Sequence, residues 1–343
     1  MKAAVLAATG LVGQRFIQLL DGHPWFEIST LTGSERSSGM KFGEAVNWRM
    51  DTVLKREVAE LTVQPTDPKH VDADVVFSAL PAEQALQVEQ DFAKEGFAVI
   101  SNASSHRMDP DVPLMNPEAN FNHLTLLDEQ RRKRKWDGSI VTDPNCTTAV
   151  LTLPLKPISN VFGLRNVVVS SMQAASGAGY PGVASLDIID NVIPFINGEE
   201  EKVQRETQKI LGEAGRPANF NVSASCHRVA VLDGHTEAVF VQTEKPASPA
   251  DVVRCMEEFR AEPQKLKLPT APERPVVVRT QQDRPQPRFD RDEGRGMTVV
   301  VGRVRDDPVF SGVKYIALGH NTIRGAAGCA ILIAESMKSQ GYL

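Results

Sequence analysis

The chain has 343 residues, a formal charge of −5 at pH 7, 41% hydrophobic and 24% charged residues, a balance that fits a globular protein of two domains or one large one. That charge excludes a global basic field for nucleic acid, and no apolar run reaches the ~18–20 residues of a membrane helix. The cysteines are Cys146, Cys226, Cys255 and Cys329, with no CxxC or His-pair spacing, which predicts no metal site and fits a reducing cytoplasm.

In chain order, AAVLAA reads as a short buried strand, TGLVG as a tight turn, and QRFIQLLDGHP as a helix with Phe16, Leu19 and Leu20 on one face. The start is apolar, but glycines interrupt it and an amphipathic segment follows, so it is read as fold and not as a signal peptide. FEISTLT and ADVVFSAL are further strands, AEQALQVEQDFAKEG a helix and FAVISN another strand. This alternation predicts a Rossmann-type doubly wound parallel sheet over residues 1–148. The basic run Arg131–Lys135 in DEQRRKRKW is read as a solvated helix end.

Beyond it the pattern changes. RNVVVSSMQAAS and HRVAVLDGHTEAVFVQTE look like long strands, DVVRCMEEFRAEPQKL like a helix, and the stretch from Pro269 to Pro287 like a loop or extended connection. Residues 149–320 are therefore expected to form an α+β domain with a mixed sheet. The terminal HNTIRGAAGCAILIAESMKSQ reads as a helix, and 321–343 are expected to return to the first domain.

Between the first strand and first helix, Ala7-Ala8-Thr9-Gly10-Leu11-Val12-Gly13 has the context of a pyrophosphate-binding turn. Amides at a helix N-terminus attract phosphate, one glycine lets backbone approach ligand, and another lets helix approach strand. Ala7 stands where the first glycine of that pattern is usual. Ser34, Glu35, Arg36 and Ser37 end the second strand. An acidic residue there suits a ribose hydroxyl and an arginine a 2′-phosphate; Arg36 among serines favours NADP over NAD.

In Thr142-Asp143-Pro144-Asn145-Cys146-Thr147-Thr148, Cys146 stands at the predicted start of an apolar helix. Helix-terminal amides stabilise a thiolate and can receive an oxyanion. His235, in Arg228-Val-Ala-Val-Leu-Asp-Gly-His235, is the candidate general acid/base.

The motifs AATGLVG, GSERSSG, SNASSHRMD, DPNCTT, MQAASGAGYPG, GEEEKVQRETQKILG, HRVAVLDGHTE and HNTIRGAAG occur in this order nearly end to end. In these the chain resembles the aspartate-semialdehyde dehydrogenase family, in its archaeal and fungal-like branch. The resemblance implies Cys146 as acyl-accepting nucleophile, Gln173 orienting the acyl intermediate and His235 as general acid/base. It implies Arg228 on the substrate carboxylate, Glu199 on its amino group, and Lys202, Arg107 and Asn145 on phosphate. Thr9, Gly10, Leu11, Val12, Ser34, Arg36, Ser37, Ser78, Ser176, Gly177 and Asn321 are the implied NADP contacts. The implied reaction is NADPH-dependent reductive dephosphorylation of L-4-aspartyl phosphate to L-aspartate 4-semialdehyde, in aspartate-family amino-acid biosynthesis. A homodimer or homotetramer in the cytoplasm is also implied, with neither nucleic acid nor membrane as partner. The rival readings are a malonyl-CoA reductase, which needs no acid for an amino group, an N-acetyl-glutamyl-phosphate reductase, whose motifs fit less well, and a non-catalytic NADP-binding redox sensor, which needs no Cys146, Gln173, Arg228 and His235 together.

Overall fold

The computed structural model describes residues 1–343. Its twelve strands and seven longer helices run, in order, β1 (Lys2–Leu6), α1 (Leu11–Leu20), β2 (Glu27–Gly33), β3 (Gln64–Pro65), β4 (Val75–Ser78), α2 (Ala82–Lys94), β5 (Ala98–Ser101), α3 (Leu126–Arg134), β6 (Ser139–Thr142), α4 (Cys146–Phe162), β7 (Asn166–Gln173), α5 (Glu199–Ile210), β8 (Asn221–Arg228), β9 (His235–Gln242), α6 (Pro249–Glu258), β10 (Val276–Arg279), β11 (Val299–Asp307), β12 (Gly312–Gly319) and α7 (Gly328–Ser339). Two compact units result. One holds residues 1–115, 122–143 and 326–343, and the other 116–121 and 144–325.

The first unit is a six-stranded sheet in the order β3-β2-β1-β4-β5-β6, with every neighbouring pair parallel. Its inner strands β1, β4 and β5 are buried on both faces, as KAAVL, VVFS and AVIS show, and the edge strand β6, SIVT, is buried as well. Parallel strands covered by helices carry such continuous apolar runs. On one side Phe16, Phe26 and Phe77 pack with Ile331, Ile333 and Met337 of α7. Phe16 stacks on Phe77 at 5.1 Å and Phe26 meets Phe77 edge-on at 6.1 Å. Phe92, Ala93, Val76 and Ile140 form the core on the other side. The basic run lies on α3 and its C-cap; Arg134 bonds Asp111 and Asp109, Lys133 pairs with Glu129, and Arg131 lies over Tyr342.

The second unit is built on a mixed sheet in the order β10-β11-β12-β9-β7-β8. Its outer pairs are parallel and its inner ones antiparallel. Period-two alternation sets one face of β7, β9 and β12 inward, with Val167, Val169, Val239, Val241, Val313 and Tyr315 buried. Helix α4 packs against β9 and β12. It has room because Gly319 lacks a side chain; a Cβ there would lie 2.6 Å from Val150 Cγ2.

Three elements depart from the sequence reading. The segment 227–244 is not continuous strand: Arg228 ends β8, His235 begins β9, and a loop joins them. Most of β8 is instead the polar stretch Asn221–Arg228, whose ladder with β7 stabilises it without an apolar pattern. The Pro-rich stretch contains β10, where four residues, VVVR, pair with β11. The helix expected over DVVRCMEEFRAEPQKL stops at Glu258 and a separate turn forms at Glu262–Lys265, since Pro263 cannot continue a helix interior.

Candidate active site

In the first unit, the turn 7–13 closes with Gly10 N–H donating to Ala7 O at 3.1 Å. Ala7 has φ 55, so it adopts the left-handed conformation that glycine takes freely and alanine takes at about 1 kcal/mol. The turn geometry is thus kept despite the substitution. Gly13 is the tight approach: a Cβ would lie 2.5 Å from Ala7 O and 2.7 Å from Ala8 Cα. Helix α1 starts at Gly10 with no side-chain cap and no acidic residue in its first turn. Its first amides are therefore not claimed by a side chain, and Thr9, Gly10, Leu11 and Val12 are accessible. This turn fits a pyrophosphate.

After β2, Ser37 Oγ donates to Ser34 O at 3.0 Å, and the amides of Ser37 and Ser38 converge on the same carbonyl. This compact turn holds Glu35 and Arg36 out to solvent, and a side chain at Gly33 would meet Ser37 Oγ at 2.3 Å. Ser78 behaves differently from the other cofactor candidates. It is fully buried, and its hydroxyl donates to Glu89 at 2.6 Å beside that of Ser101 at 2.7 Å. Ser78 therefore braces the end of β4 instead of presenting a donor outward. Arg107, also in this unit, donates to Asn102 O at 2.9 Å and lies 3.8 Å from Asp143.

In the second unit the chain places Cys146 at the first position of α4, a helix of 17 residues. Asn145 is its N-cap: the side-chain oxygen accepts from the amides of Thr147 and Thr148 at 2.9 and 3.2 Å. The same residue is held twice more. Its Nδ2 donates to Glu199 Oε1 at 2.8 Å, and its backbone N–H donates to Glu206 Oε2 at 2.7 Å. Glu199 and Glu206 lie seven residues apart on α5, two turns along one face. Glu199 begins α5, and Lys202 follows one turn later, half-buried.

Sheet geometry supplies the opposing side chains. Gln173 ends β7 in register with Arg228, which ends β8, while His235 begins the antiparallel neighbour β9. Three chemically active residues thus share one end of the sheet. His235 Nε2 lies 3.1 Å from Cys146 Sγ. The Ala174 peptide joins two of the partners, since its N–H donates to His235 Nδ1 at 3.1 Å and its C=O accepts from Arg228 Nη1 at 2.8 Å. Gln173 Nε2 reaches Ser171 Oγ at 3.3 Å.

Two glycines allow close approach. A Cβ on Gly177 would lie 2.7 Å from Arg228 Nη1 and 3.1 Å from His235 Cε1, and one on Gly325 would lie 2.6 Å from Cys146 Cβ. Asn321 bridges Gly234 N–H and Ser176 Oγ, each at 2.8 Å. Arg324, fully buried, forks onto Glu118 at 2.8 and 2.7 Å and donates to Met297 O at 2.7 Å, which anchors the residue before Gly325. Burial, with the positive charge of Arg228 and His320 adding to it, pushes the His235 imidazolium down to about 3, so the ring is neutral near pH 7.

Sequence reasoning brought Cys146, His235, Asn145, Glu199, Gln173, Arg228, Ser176 and Asn321 into this unit's site. It missed Glu206, although the seven-residue spacing from Glu199 on a helical face was a usable signal. It also missed the Ala174 peptide, for which a backbone group leaves no residue-type signal. Cys226 and Cys255 sit apart from this geometry, and burial raises both thiols to about 11.

The chain is similar along its whole length to known proteins. Residues 2–127 match the model of the semialdehyde dehydrogenase NAD binding domain, and residues 155–324 that of the semialdehyde dehydrogenase dimerisation domain. An aspartate-semialdehyde dehydrogenase of Methanothermobacter thermautotrophicus is 54% identical over 341 residues, covering 98% of each chain. A malonyl CoA reductase (NADP) of Metallosphaera sedula is 45% identical over 352 residues, covering 100% of this chain and 98% of that one. Among solved structures, aspartate semialdehyde dehydrogenase with NADP from Candida albicans superposes with a TM-score of 0.92 at 42% identity, covering 100% of this chain and 99% of that one. With both domain models matched and full-length identity of this order, the chain belongs to the aspartate-semialdehyde dehydrogenase family.

Proposed function

We propose that the protein catalyses the NADPH-dependent conversion of L-4-aspartyl phosphate to L-aspartate 4-semialdehyde and phosphate through a thioester on Cys146. The observation that carries this reading is the 3.1 Å approach of Cys146 Sγ and His235 Nε2 at the head of α4, with Asn145 beside it tied to Glu199. The substrate has a carboxylate, an ammonium, an acyl carbon and a phosphate. Arg228 spends one nitrogen on Ala174 O and has the rest of its fork for the carboxylate. Glu199 gives one oxygen to Asn145, and its other oxygen suits the ammonium. Lys202 and Arg107 are cations for the phosphate.

Cys146 attacks the acyl carbon; the C–S bond forms and the C–O bond to phosphate breaks. Amides at the start of α4 and the His235 side chain face the oxygen that gains charge, and Gln173 orients the acyl group. NADPH supplies the hydride when bound. The residues proposed to hold it are Thr9, Gly10, Leu11 and Val12 for the pyrophosphate, Ser34, Arg36 and Ser37 for the 2′-phosphate, and Ser176, Gly177 and Asn321 for the nicotinamide end, with Ser78 bracing β4. Release of the aldehyde then frees Cys146.

The relative named as a malonyl CoA reductase supports a second reading on the same thioester chemistry. The buried Glu199 and its link to Asn145 favour a substrate with an amino group. For assembly, we infer a homodimer or a tetramer of such dimers. The support is the half-exposed outer face of the mixed sheet, with Val168, Met172, Ala238, Phe240 and Ile316, and the matched dimerisation domain. The four cysteines form no disulfide, which favours a reducing cytoplasm, and no helix is long and apolar enough to cross a membrane.

The test is NADPH formation from aspartate semialdehyde, NADP and inorganic phosphate, with Cys146→Ala as control. Phosphate-dependent turnover that falls at least ~10⁴-fold in the variant supports the reading. Cysteine-dependent NADPH oxidation with malonyl-CoA, and none with phosphate, replaces the substrate. Silence in both overturns the enzyme reading.

A further inference from the structure

Arg324 is the largest side chain closed to solvent in the protein, and all three nitrogens of its guanidinium are bonded inside the fold. Nε donates to Met297 O at 2.7 Å. Nη1 donates to Glu118 Oε2 at 2.8 Å and reaches Asn116 Oδ1 at 3.3 Å, and Nη2 donates to Glu118 Oε1 at 2.7 Å. The Glu118 side chain is closed to solvent as well. Such a pair is weak evidence of stability, because taking both charges out of water offsets most of their attraction. What a planar fork supplies is direction. With Nε on one carbonyl and both terminal nitrogens on one carboxylate, the Arg324 side chain has a single plane to lie in, and its backbone is held with it.

The next residue in that backbone is Gly325. A Cβ on it would lie 2.6 Å from Cys146 Cβ, 2.8 Å from Cys146 Cα and 3.3 Å from Cys146 O. The Gly325 main chain is thus the wall against which Cys146 stands, and its N–H is fixed on His320 O at 3.1 Å.

The other side of this contact is tied to the same place. Asn116, two residues before Glu118, donates from Nδ2 to Ala149 O and to Thr152 Oγ1 of α4, each at 3.0 Å. Thr152 Oγ1 donates in turn to Thr148 O at 2.8 Å. Asn120 Oδ1 accepts from the Asn116 N–H at 2.9 Å and closes the segment 116–120 on itself. Cys146 and Gly325 therefore both take their positions from one short segment, through buried bonds on each side.

Building on the function proposed above, we propose that Arg324 and Glu118 are positioning residues for Cys146. Their ion pair sets the Gly325 main chain against the cysteine, and Asn116 sets α4 against the same pair, so that Sγ is held where it attacks the acyl carbon. With no exposed surface, neither Arg324 nor Glu118 contacts the substrate. Loss of the pair acts on kcat more than on KM, and it acts on the sulfur even when no substrate is bound.

The experiment uses the full chain with Arg324→Met and Glu118→Met together. The double change removes both charges at similar volume, so the fold is expected to survive with a denaturant midpoint no lower than that of wild type. In NADPH formation from aspartate semialdehyde, NADP and phosphate, kcat is expected to fall ~10²-fold while KM for the aldehyde stays within ~3-fold. Iodoacetamide alkylation of Cys146, located by mass spectrometry, supplies the second readout. Its midpoint is expected to move up by about 1 on the pH scale, because a displaced sulfur loses the amides at the head of α4. A wild-type kcat or an unmoved alkylation midpoint overturns the proposal and leaves the ion pair as a support of the fold alone. If the double variant does not fold, Arg324→Lys decides. It keeps a charge opposite Glu118 but cannot fork the carboxylate and reach Met297 O at once, so kcat is expected to fall ~10-fold or more; a wild-type kcat in it overturns the proposal. Alkylation needs no substrate. Absence of phosphate-dependent turnover in the wild type therefore overturns the function proposed above, while the alkylation midpoint still decides whether the pair positions Cys146.

Discussion

The turn at residues 7–13 and the head of α4 both begin helices, and both are suited to negative charge, but they are built from different materials. The first is made of backbone: a carbonyl, a few amides and the missing side chain of Gly13. The second is made of side chains in fixed bonds, with Asn145 capped onto α4 and tied to Glu199 and Glu206, and Cys146 facing His235. A backbone site tolerates a residue change that preserves its dihedral angles, as Ala7 at φ 55 shows. A side-chain site has no such latitude, because each group in it has another group's position to maintain.

The largest break in this comparison is expected at Gly325. Alanine would bring its Cβ to 2.6 Å from Cys146 Cβ and 2.8 Å from Cys146 Cα, so Cys146 must move. We expect kcat to fall ~10²-fold with the fold intact, since displacement near 1 Å has that cost; circular dichroism and steady-state rates together check it. A smaller effect is expected from Glu206→Gln, which replaces a charged acceptor of the Asn145 N–H by a neutral one. The expected loss is ~10-fold in kcat with little change in KM. A change in KM alone would mean that Glu206 belongs to substrate binding and not to the setting of α4.

Two stability measurements sharpen the contrast further. Glu237, on β9 two residues beyond His235, is fully buried with no partner for either oxygen, and burial raises its carboxyl well above the usual range. The folded state then holds a proton that the unfolded state releases near pH 4.5, so stability contributed by this group declines as pH rises from there toward the folded value. Glu237→Gln should flatten that decline and be more stable than wild type at pH 8, read from denaturant midpoints. Glu89 in the first unit is the useful comparison: burial raises its carboxyl too, while Ser78 and Ser101 donate to one of its oxygens and counter the rise, so Glu89→Gln should flatten the decline less. The smallest effect is Ala7→Gly. It removes the left-handed strain and adds unfolded-state entropy, for a net stabilisation of at most ~1 kcal/mol, and leaves turnover unchanged. A loss of stability would show that the Ala7 methyl packs usefully.

Short continuous apolar runs and strand–turn–helix order made the first sheet readable from the amino acids alone, because parallel strands buried on both faces must be apolar throughout. The sequence also sufficed for the family, through long motifs in a fixed order, and for the place of Cys146 at the head of α4. It did not reveal β8 or β10. Their stability comes from ladders with β7 and β11, and a ladder depends on the neighbour more than on the strand's own residues. Nor could spacing show that Glu206 holds a backbone N–H, or that the Ala174 amide faces His235 Nδ1. Both are contacts between segments 61 residues apart in which one partner is main chain. Main-chain donors are the same at every residue but proline, so only the folded path of the chain decides which of them meets a reactive side chain.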